Sequence, residues 1–492
     1  MPAGIKDKIS AALQFHQSGQ LPEAEELYLQ ILDALPDNAQ TLNLLGLLKL
    51  QNKQFEDAVF YIKKATDINP CAYFFESLGL AYFNDGNFDS AIDSYQKSLE
   101  LDSGNFDVWF NLAMAYKRNG KFDDAVGTYQ RALAIKPDNP DVYFNLGNIY
   151  ENKNETSTAL EYYRKASEFG VNDENLNYFL AVSYLKTKNF KDGWKYYEDR
   201  PSKDFGILTQ ELQYKDLIKS RPLWTGEPIK DKTLFVYYEA GLGDTLMYAR
   251  YIKLLKNKCA KVLFKPQMGF VKLFRDSDLD TEIVGVETPM ENVVFDVHIP
   301  LMSIPYVLGL NSEEEIPFSG GYLKSNPEKV NFYKEKYFDN NKFKIGIKWQ
   351  GNAAYDRNRI IPLEKFYRLF DSDKAQFYSI QKGDGAGELK NLPEKYEITD
   401  LGTTFDDFAD TAAAIENLDL VICNDTSVVH LVGALGKPCW VLLPFVSNWR
   451  WHDDFSYSPW YDSVRLFKQQ KLDDWDGVFE SVDAELKKTI TK

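Results

Sequence analysis

The chain has 492 residues, of which 44% are hydrophobic and 15% aromatic. This composition excludes disorder as a description of the whole chain and favours about three packed domains. The 73 acidic residues outnumber the 57 basic ones, which gives a net charge of -16. Such a charge disfavours nucleic acid or an anionic membrane as partner, although a local group of donors could still bind a nucleoside diphosphate.

The four cysteines lack the spacing of metal ligands: Cys71, Cys259, Cys423 and Cys439. We therefore expect reduced, buried thiols and a cytoplasmic protein. The N-terminus shows an amphipathic helix pattern in place of a signal peptide. No stretch approaches the roughly 20 apolar residues that a membrane-spanning helix needs, so we expect a soluble protein.

A repeat of 34 residues runs through the first 200 positions. Small residues recur at equivalent places, with one step of 33 and three of 34: Ala24, Ala58, Ala91, Ala125 and Ala159. This is the tetratricopeptide period, in which each unit is a pair of antiparallel helices and the small residue lets one helix approach the other. Five repeats and a sixth from Glu174 to Arg200 predict a superhelix over residues 5–200, with Gly86, Gly120 and Asn154 at turns.

The groove of such a superhelix commonly binds peptides. Asn111 and Asn145 lie 34 residues apart at equivalent places in the first helix of their repeats. Their amides could bind the backbone of an extended acceptor polypeptide, or they could bond to neighbouring repeats or to solvent. Both interpretations stay open at this point.

The repeat pattern stops after residue 200, and residues 201–231 read as a linker. Residues 232–340 then show a strand, a glycine loop and a helix, followed by strand candidates at 261–264, 282–286 and 293–298. Residues 341–470 form a second such region, and 471–492 contain a final helix. The alternation predicts an α/β module of two doubly wound parallel sheets with a ligand cleft at their carboxyl ends.

In the second region, strands and helices alternate. The predicted strands are 344–349, 376–380, 397–401, 420–423 and 438–443, and the predicted helices are 363–369, 405–417 and 427–435. The aromatic residues Trp449, Trp451, Trp460 and Tyr461 are interpreted as core packing that closes the lobes rather than as a stacking surface for a base.

Three motifs follow predicted strands. Gly241-Leu-Gly243-Asp244 offers backbone amides to an anion and a carboxylate that serves either as a base or as a helix cap. The run Asp425-Thr426-Ser427, with His430 one turn later, brings polar groups to another helix start, where they can meet a ribose or a diphosphate.

The third motif is cationic. Lys348 ends a strand, and Arg359 belongs to the polar loop that follows it. Fixed cations of this kind can offset the charge that builds on a departing diphosphate without a metal, although basic loop residues are usually only solvated. The Asp-x-Asp triplet Asp276 to Asp278 reads as a solvated turn, so no bound metal or other cofactor is expected.

These motifs resemble the heptosyltransferase-like proteins of glycosyltransferase family nine, over about 230–470. The segments that carry the resemblance begin at Gly241, Ile345 and Asn424, and the whole chain is similar to bacterial tetratricopeptide-repeat proteins that end in such a domain. The resemblance implies a GT-B fold of two Rossmann-like lobes and an inverting, metal-independent glycosyltransferase. Ser427 departs from the glycine that the heptosyltransferases proper usually have, so their donor is not carried over.

The resemblance also implies roles for individual residues. Asp244 would be the general base. The second lobe would bind the nucleotide sugar through these residues: Arg359, Gln381, Lys382, Asp425, Thr426, Ser427 and His430. Repeats joined to a GT-B module are similar in architecture to protein O-GlcNAc transferases.

The sequence therefore predicts sugar transfer to a hydroxyl of a polypeptide that the repeats recruit. A polysaccharide or lipid-linked glycan acceptor is one alternative. A non-catalytic adaptor is another.

Overall fold

The structure, a computed structural model, describes residues 5–171, 173–200, 212–352, 357–453 and 457–490. The chain forms two compact units. The first comprises residues 1–150 and 161–171, and the second comprises residues 151–160 and 172–492.

Within the described part of the first 200 residues, twelve helices follow one another in antiparallel pairs, as the tetratricopeptide period predicts. They are α1 (Ile5–Gln17), α2 (Leu21–Ala34), α3 (Ala39–Gln51), α4 (Phe55–Ile68), α5 (Ala72–Asn84), α6 (Phe88–Leu101), α7 (Phe106–Arg118), α8 (Phe122–Ile135), α9 (Pro140–Asn152), α10 (Thr156–Glu168), α11 (Glu174–Lys186) and α12 (Phe190–Tyr197).

Small residues allow the paired helices of the first unit to pack closely. A Cβ atom on Gly147 would lie 2.4 Å from the ring of Tyr163, and one on Gly79 would lie 2.6 Å from the ring of Tyr95. The five repeated alanines of the sequence period are fully buried. The predicted turn residues Gly86, Gly120 and Asn154 all have positive φ. The repeat interpretation is confirmed in these details.

The last helical pair, α11 and α12, belongs to the second unit and shares its hydrophobic core. The ring of Trp194 packs edge-on against Trp449 at 5.8 Å, and Phe190 packs against Trp460 at 6.2 Å. These aromatic residues are buried because they close this core, as the sequence predicted for the tryptophan cluster. The sixth repeat therefore has a packing role in the α/β region.

Two parallel sheets follow in the second unit. The first lobe contains the sheet β3-β2-β1-β4, formed by β1 (Ile229–Tyr237), β2 (Cys259–Lys265), β3 (Glu282–Ile283) and β4 (Val297–Pro300). The second lobe contains the sheet β10-β9-β8-β5-β6-β7, formed by β5 (Phe343–Lys348), β6 (Ala375–Ser379), β7 (Ile398–Asp400), β8 (Leu420–Asn424), β9 (Cys439–Leu443) and β10 (Val464–Lys468). Strands β8 and β9 are buried along their whole length, which explains their continuous apolar sequence.

Helices precede, separate and follow these strands. They are α13 (Leu212–Lys219), α14 (Leu242–Tyr248), α15 (Val271–Asp276), α16 (Ile304–Val307), α17 (Pro327–Tyr337), α18 (Phe408–Glu416), α19 (Ser427–Ala434) and α20 (Trp475–Ile490).

The structure changes several predicted boundaries. The predicted linker 201–231 contains α13 and the start of β1, while its residues 201–211 lie outside the described part. The predicted strand 293–298 begins only at Val297, and the predicted helix Leu363–Leu369 is a 3₁₀ helix. Strand β10 was not predicted. The predicted helix 405–417 begins at Phe408, because the Asp407 carboxylate caps it by accepting from the Ala409 amide at 2.9 Å.

The two lobes pack into one core. Backbone amides of Tyr322 and Leu323, on the segment between the lobes, both donate to the Ala434 carbonyl of α19, at 2.8 and 2.9 Å. Arg250 follows α14 and is fully buried, and it donates to the Trp460 carbonyl at 2.7 Å. The carboxyl ends of both sheets consequently have a fixed relation to each other within this unit.

Candidate functional site

A cleft of about 1180 Å³ lies in the second unit, where loops that follow the strands of both sheets meet. Parallel strands end at one edge of a sheet, and open α/β sheets bind ligands at that edge. Every residue predicted for the α/β site except Gln381 lines this cleft: Gly241, Gly243, Asp244, Lys348, Arg359, Lys382, Asp425, Thr426, Ser427 and His430. Residues that lie far apart in the sequence are thus brought together.

The glycine loop after β1 packs directly on the second lobe. A Cβ atom on Gly243 would lie 2.9 Å from Cδ2 of His430 and 3.5 Å from Cα of Ser427. Glycine is needed here because α14 and α19 approach so closely. The Gly241 amide donates to Oδ2 of Asp244 at 3.1 Å. The anion at this turn is therefore the Asp244 carboxylate itself.

Asp244 also bonds across the cleft. Its Oδ1 accepts from the guanidinium of Arg450, whose side chain is only 11% exposed. The same guanidinium also donates to Oδ1 of Asn448, at 2.7 Å. The carboxylate predicted as a base is thus fixed in position by a turn amide and an arginine.

Lys348 lies at the end of β5, and the residue is only 7% exposed. Burial lowers the pKa of its ammonium to about 8, because the charged form is poorly solvated there. A buried ammonium on a cleft wall stabilises an anion more strongly than an exposed lysine does, since water screens it less.

Arg359 and the turn after β8 hold each other in place. The Arg359 guanidinium donates to the Asp425 carbonyl at 3.0 Å and lies 3.6 Å from its carboxylate. The Asn424 side chain donates back to the Arg359 carbonyl at 2.7 Å. This brings a cation to the start of α19, where the backbone amides of the first turn favour an anion.

Thr426 and Ser427 form the start of α19, with Thr426 in the extended N-cap conformation. The Thr426 hydroxyl is buried and has no hydrogen-bond partner among the described residues. A buried hydroxyl in this state is costly unless a ligand or water bonds to it. It is a candidate contact for a ligand oxygen.

His430 is 4% exposed, and its ring stacks on Trp451 with an interplanar angle of 14°. Its Nδ1 lies 3.0 Å from the Tyr461 hydroxyl in a hydrogen bond. Burial, followed by the nearby charges of Arg450, Arg250 and Arg359, lowers its pKa well below the usual value. The imidazole is therefore neutral at pH 7.

Gln381 does not line the cleft but fixes two of the loops that do. Its side chain accepts from the amides of Trp349 and Gln350 and donates to the carbonyls of Gln350 and Asp384. This residue is 1% exposed and fixes the loops after β5 and β6. Its neighbour Lys382 does line the cleft, where its ammonium donates to the Phe405 carbonyl.

Sequence reasoning missed several polar residues of this cleft, among them Tyr238, Gln267, Asn448 and Arg450. The side-chain oxygen of Gln267 is buried without a hydrogen-bond partner among the described residues. Arg450 lies between two tryptophans that were interpreted as core. The one sequence feature that could have indicated its role is that a charged residue stands between two buried aromatic residues.

In the first unit, the side chain of Asn145 already forms hydrogen bonds with other residues of the repeats. Its side chain accepts from the Lys117 ammonium at 2.7 Å and donates to the Asp141 carbonyl at 2.9 Å. Asn111 is half-buried on α7. A polypeptide bound at Asn145 would have to share or replace the Lys117 bond.

The Asp276 to Asp278 turn makes polar contacts. Asn326 donates to the Asp276 carboxylate at 3.3 Å, and Lys324 lies 3.9 Å from the Asp278 carboxylate. Within the described ranges, no group of three or more His, Cys, Asp or Glu side chains could hold a metal ion. The four cysteines have free thiols, and Cys71 is only partly buried. No helix among the described residues is long and apolar enough to span a membrane.

Comparisons with known proteins identify the repeats. A family model described as TPR repeat matches residues 79–120 and 115–154, and one described as tetratricopeptide repeat matches residues 39–70 and 140–169. The N-terminal part of the chain is thus built of tetratricopeptide repeats.

Among curated proteins, FlbA of Caulobacter vibrioides is 23% identical over 346 residues, which is 63% of this chain and 55% of FlbA. The mitochondrial import receptor subunit TOM70 of Rattus norvegicus is 38% identical over 84 residues, which is 17% of this chain and 14% of TOM70. The chain thus spans about half the length of FlbA and a small part of TOM70.

Two solved structures are similar to the repeats. The MamA protein is 27% identical, with a TM-score of 0.33, over 34% of this chain and 93% of MamA. YrrB, described as a TPR protein with an unusual peptide-binding site, is 21% identical, with a TM-score of 0.31, over 33% of this chain and 84% of YrrB.

Proposed function

We propose that the chain is a glycosyltransferase that moves a sugar from a nucleoside diphosphate sugar to a hydroxyl of a polypeptide recruited by the repeats. One observation carries the proposal. A single cleft combines a fixed carboxylate, Asp244, with the buried cation Lys348, the partly exposed cation Arg359 and the start of α19. These are the groups that deprotonation of a hydroxyl and departure of a diphosphate require.

In the proposed reaction, the carboxylate of Asp244 accepts the proton of the acceptor hydroxyl. The acceptor oxygen forms a bond to the anomeric carbon, and the bond from that carbon to the phosphate oxygen breaks. The electron pair of that bond stays on the diphosphate, where Lys348, Arg359 and the amides of α19 stabilise its charge. Direct displacement of this kind inverts the anomeric centre, and fixed cations stabilise the leaving group without a metal.

A neutral His430 fits a donor-binding role. A neutral imidazole can accept or donate one hydrogen bond through Nε2, and the bond between Nδ1 and Tyr461 fixes the ring. Ribose and phosphate oxygens are suitable partners for such a group. The Thr426 hydroxyl, buried without a partner among the described residues, would contact the same ligand.

Polypeptide is the favoured acceptor because tetratricopeptide repeats commonly bind peptides. Asn111 and Asn145 remain the proposed contacts in the groove. The alternative of a polysaccharide or lipid-linked glycan assigns the repeats to docking of other proteins and leaves the cleft chemistry unchanged.

A non-catalytic adaptor is the second candidate, and one observation favours it. Both carboxylate oxygens of Asp244 are already bonded, one to the Gly241 amide and one to Arg450. In this arrangement the carboxylate serves as a structural link between the glycine turn and Arg450. In an adaptor the cleft would bind a nucleotide, or the lobes would serve only as a scaffold.

A transfer assay tests the proposal. The full chain is incubated with a panel of nucleoside diphosphate sugars and a peptide library, and released nucleoside diphosphate and sugar-modified peptide are measured. Modification of a serine- or threonine-containing peptide by one donor is expected. If nucleotide is released only with a glycan acceptor, the acceptor is a glycan and not a polypeptide. If no donor is turned over, the result favours the adaptor.

The charge of Lys348 predicts a pH dependence for nucleoside diphosphate binding. Below its pKa of about 8 the ammonium is charged, and above that pH it becomes neutral. Anion affinity should therefore be high at pH 7 and fall as the pH rises through about 8. Calorimetric titrations between pH 7 and 9.5 measure this.

The matched variant is Lys348→Met, which should bind about tenfold more weakly at pH 7 and lose the step near pH 8. Equal pH profiles for the variant and the wild type would exclude Lys348 as a contact.

A further inference from the structure

Arg450 lies where it can bind either Asp244 or an anionic ligand in the cleft. Its guanidinium bonds to Asp244, and its Nε is buried with no hydrogen-bond partner among the described residues. The guanidinium also lies over the Trp449 ring, 4.7 Å from the centroid, and this contact helps to fix it on the cleft wall. The side chain is thus held in position, and its Nε–H group is still available to donate a hydrogen bond.

The cations predicted to hold the donor line the same cleft as Arg450. Lys348, Arg359 and the Thr426 hydroxyl, which has no partner in the described part of the chain, are all part of this lining. The charges of Arg450 and Arg359, together with that of Arg250, all act on the buried His430, so both cleft arginines lie near this ring. A diphosphate in reach of Arg359 and the start of α19 would therefore attract Arg450 as well.

A guanidinium binds a carboxylate and a phosphate in the same forked geometry, and the phosphate carries more charge. The two anions would compete for one cation. Asp244 is also held by the Gly241 amide, so the carboxylate would stay in place if Arg450 left it.

We propose that Arg450 is a diphosphate-binding residue that exchanges Asp244 for the donor's diphosphate when the donor binds. This rests on the proposed function. The exchange leaves Asp244 Oδ1 without its cation, and that oxygen then takes the proton of the acceptor hydroxyl while the electron pair of the broken sugar–phosphate bond stays on the diphosphate, next to Arg450. Donor therefore binds before the acceptor hydroxyl is activated.

A binding cycle with inorganic pyrophosphate tests the exchange without any need for turnover. Calorimetry on the full chain compares the wild type, Asp244→Asn, Arg450→Gln and the double variant. Asp244→Asn frees the guanidinium and should strengthen pyrophosphate binding about tenfold, whereas Arg450→Gln should weaken it about tenfold. In the Arg450→Gln background, Asp244→Asn should change the affinity less than twofold.

Asp406→Asn is the matched control, because Asp406 is an exposed carboxylate that lines the same cleft. It removes one negative charge without freeing Arg450, so it should strengthen binding much less than Asp244→Asn does. Equal effects of Asp244→Asn and Asp406→Asn, or an unchanged effect of Asp244→Asn when Arg450 is absent, would overturn the exchange and leave the diphosphate site in place.

Failure of the proposed function gives a different result. Wild-type protein that binds neither pyrophosphate nor any nucleoside diphosphate would overturn both the site and the exchange. If Arg450→Gln does not fold, Arg450→Lys takes its place, since a lysine keeps the charge but cannot form the forked contact. The comparison of Asp244→Asn with Asp406→Asn decides the matter in either case.

Discussion

Replacing Asp244 by asparagine is expected to lower the rate of sugar transfer about 10³-fold while the protein still binds the nucleoside diphosphate. The amide occupies the same volume and can still accept the Gly241 amide, but it cannot take the proton of the acceptor hydroxyl. Initial rates of transfer measure the loss, and calorimetry with the nucleoside diphosphate measures the binding.

Asp278→Asn is the control, because this exposed aspartate belongs to the acidic turn outside the cleft and should leave the rate unchanged. An Asp244→Asn variant that keeps more than a tenth of the wild-type rate would show that another group takes the proton. The side-chain oxygen of Gln267 cannot replace Asp244, since an amide is a very weak base.

Replacing Arg200 by methionine should lower the free energy of unfolding of the second unit by about 3–5 kcal/mol, the range typical for one lost partner of a buried ion pair. Both side chains of the Arg200–Glu239 pair are completely buried, and the guanidinium binds both carboxylate oxygens, at 3.0 and 2.6 Å. The variant leaves the Glu239 carboxylate buried without its cation.

Denaturation by urea, followed by tryptophan fluorescence, measures this change. The chain has nine tryptophans, and only Trp109 lies in the first unit, so the signal reports on the second. The double variant Arg200→Met with Glu239→Gln should recover part of the loss, because it removes the unpaired charge.

The control for Arg200 is Lys487→Met, which affects an exposed ion pair on α20 and should leave the unfolding midpoint unchanged. If Arg200→Met also left it unchanged, the buried pair would not link the sixth repeat to the first lobe.

The repeats could be predicted in detail because their signal is local and recurs. Each turn residue and each small residue, such as Gly86 or Ala125, reports on its own helix pair, and six copies support the same interpretation. The strands that precede the glycine loop and Asp425 were also predictable, since a buried parallel strand is a continuous apolar run.

Long-range contacts were not predictable in this way. Arg450 meets Asp244 across 206 positions of the chain, and Arg200 meets Glu239 only because the sixth repeat packs on the first lobe. No local pattern separates a cation that enters a cleft from one in solvent. Strand β10 was missed, although three of its five residues are apolar.

We propose that the cleft binds a nucleoside diphosphate, and a thermal-shift screen of the full chain measures this without any need for an acceptor. The diphosphates of uridine, guanosine, cytidine, adenosine and thymidine and their sugars are each added far above the expected dissociation constant. We expect one nucleotide to raise the melting temperature by several degrees, since a ligand at about 100 times its dissociation constant adds about 2.7 kcal/mol. A folded protein whose melting temperature shifts with none of them would overturn the nucleotide site and favour the adaptor.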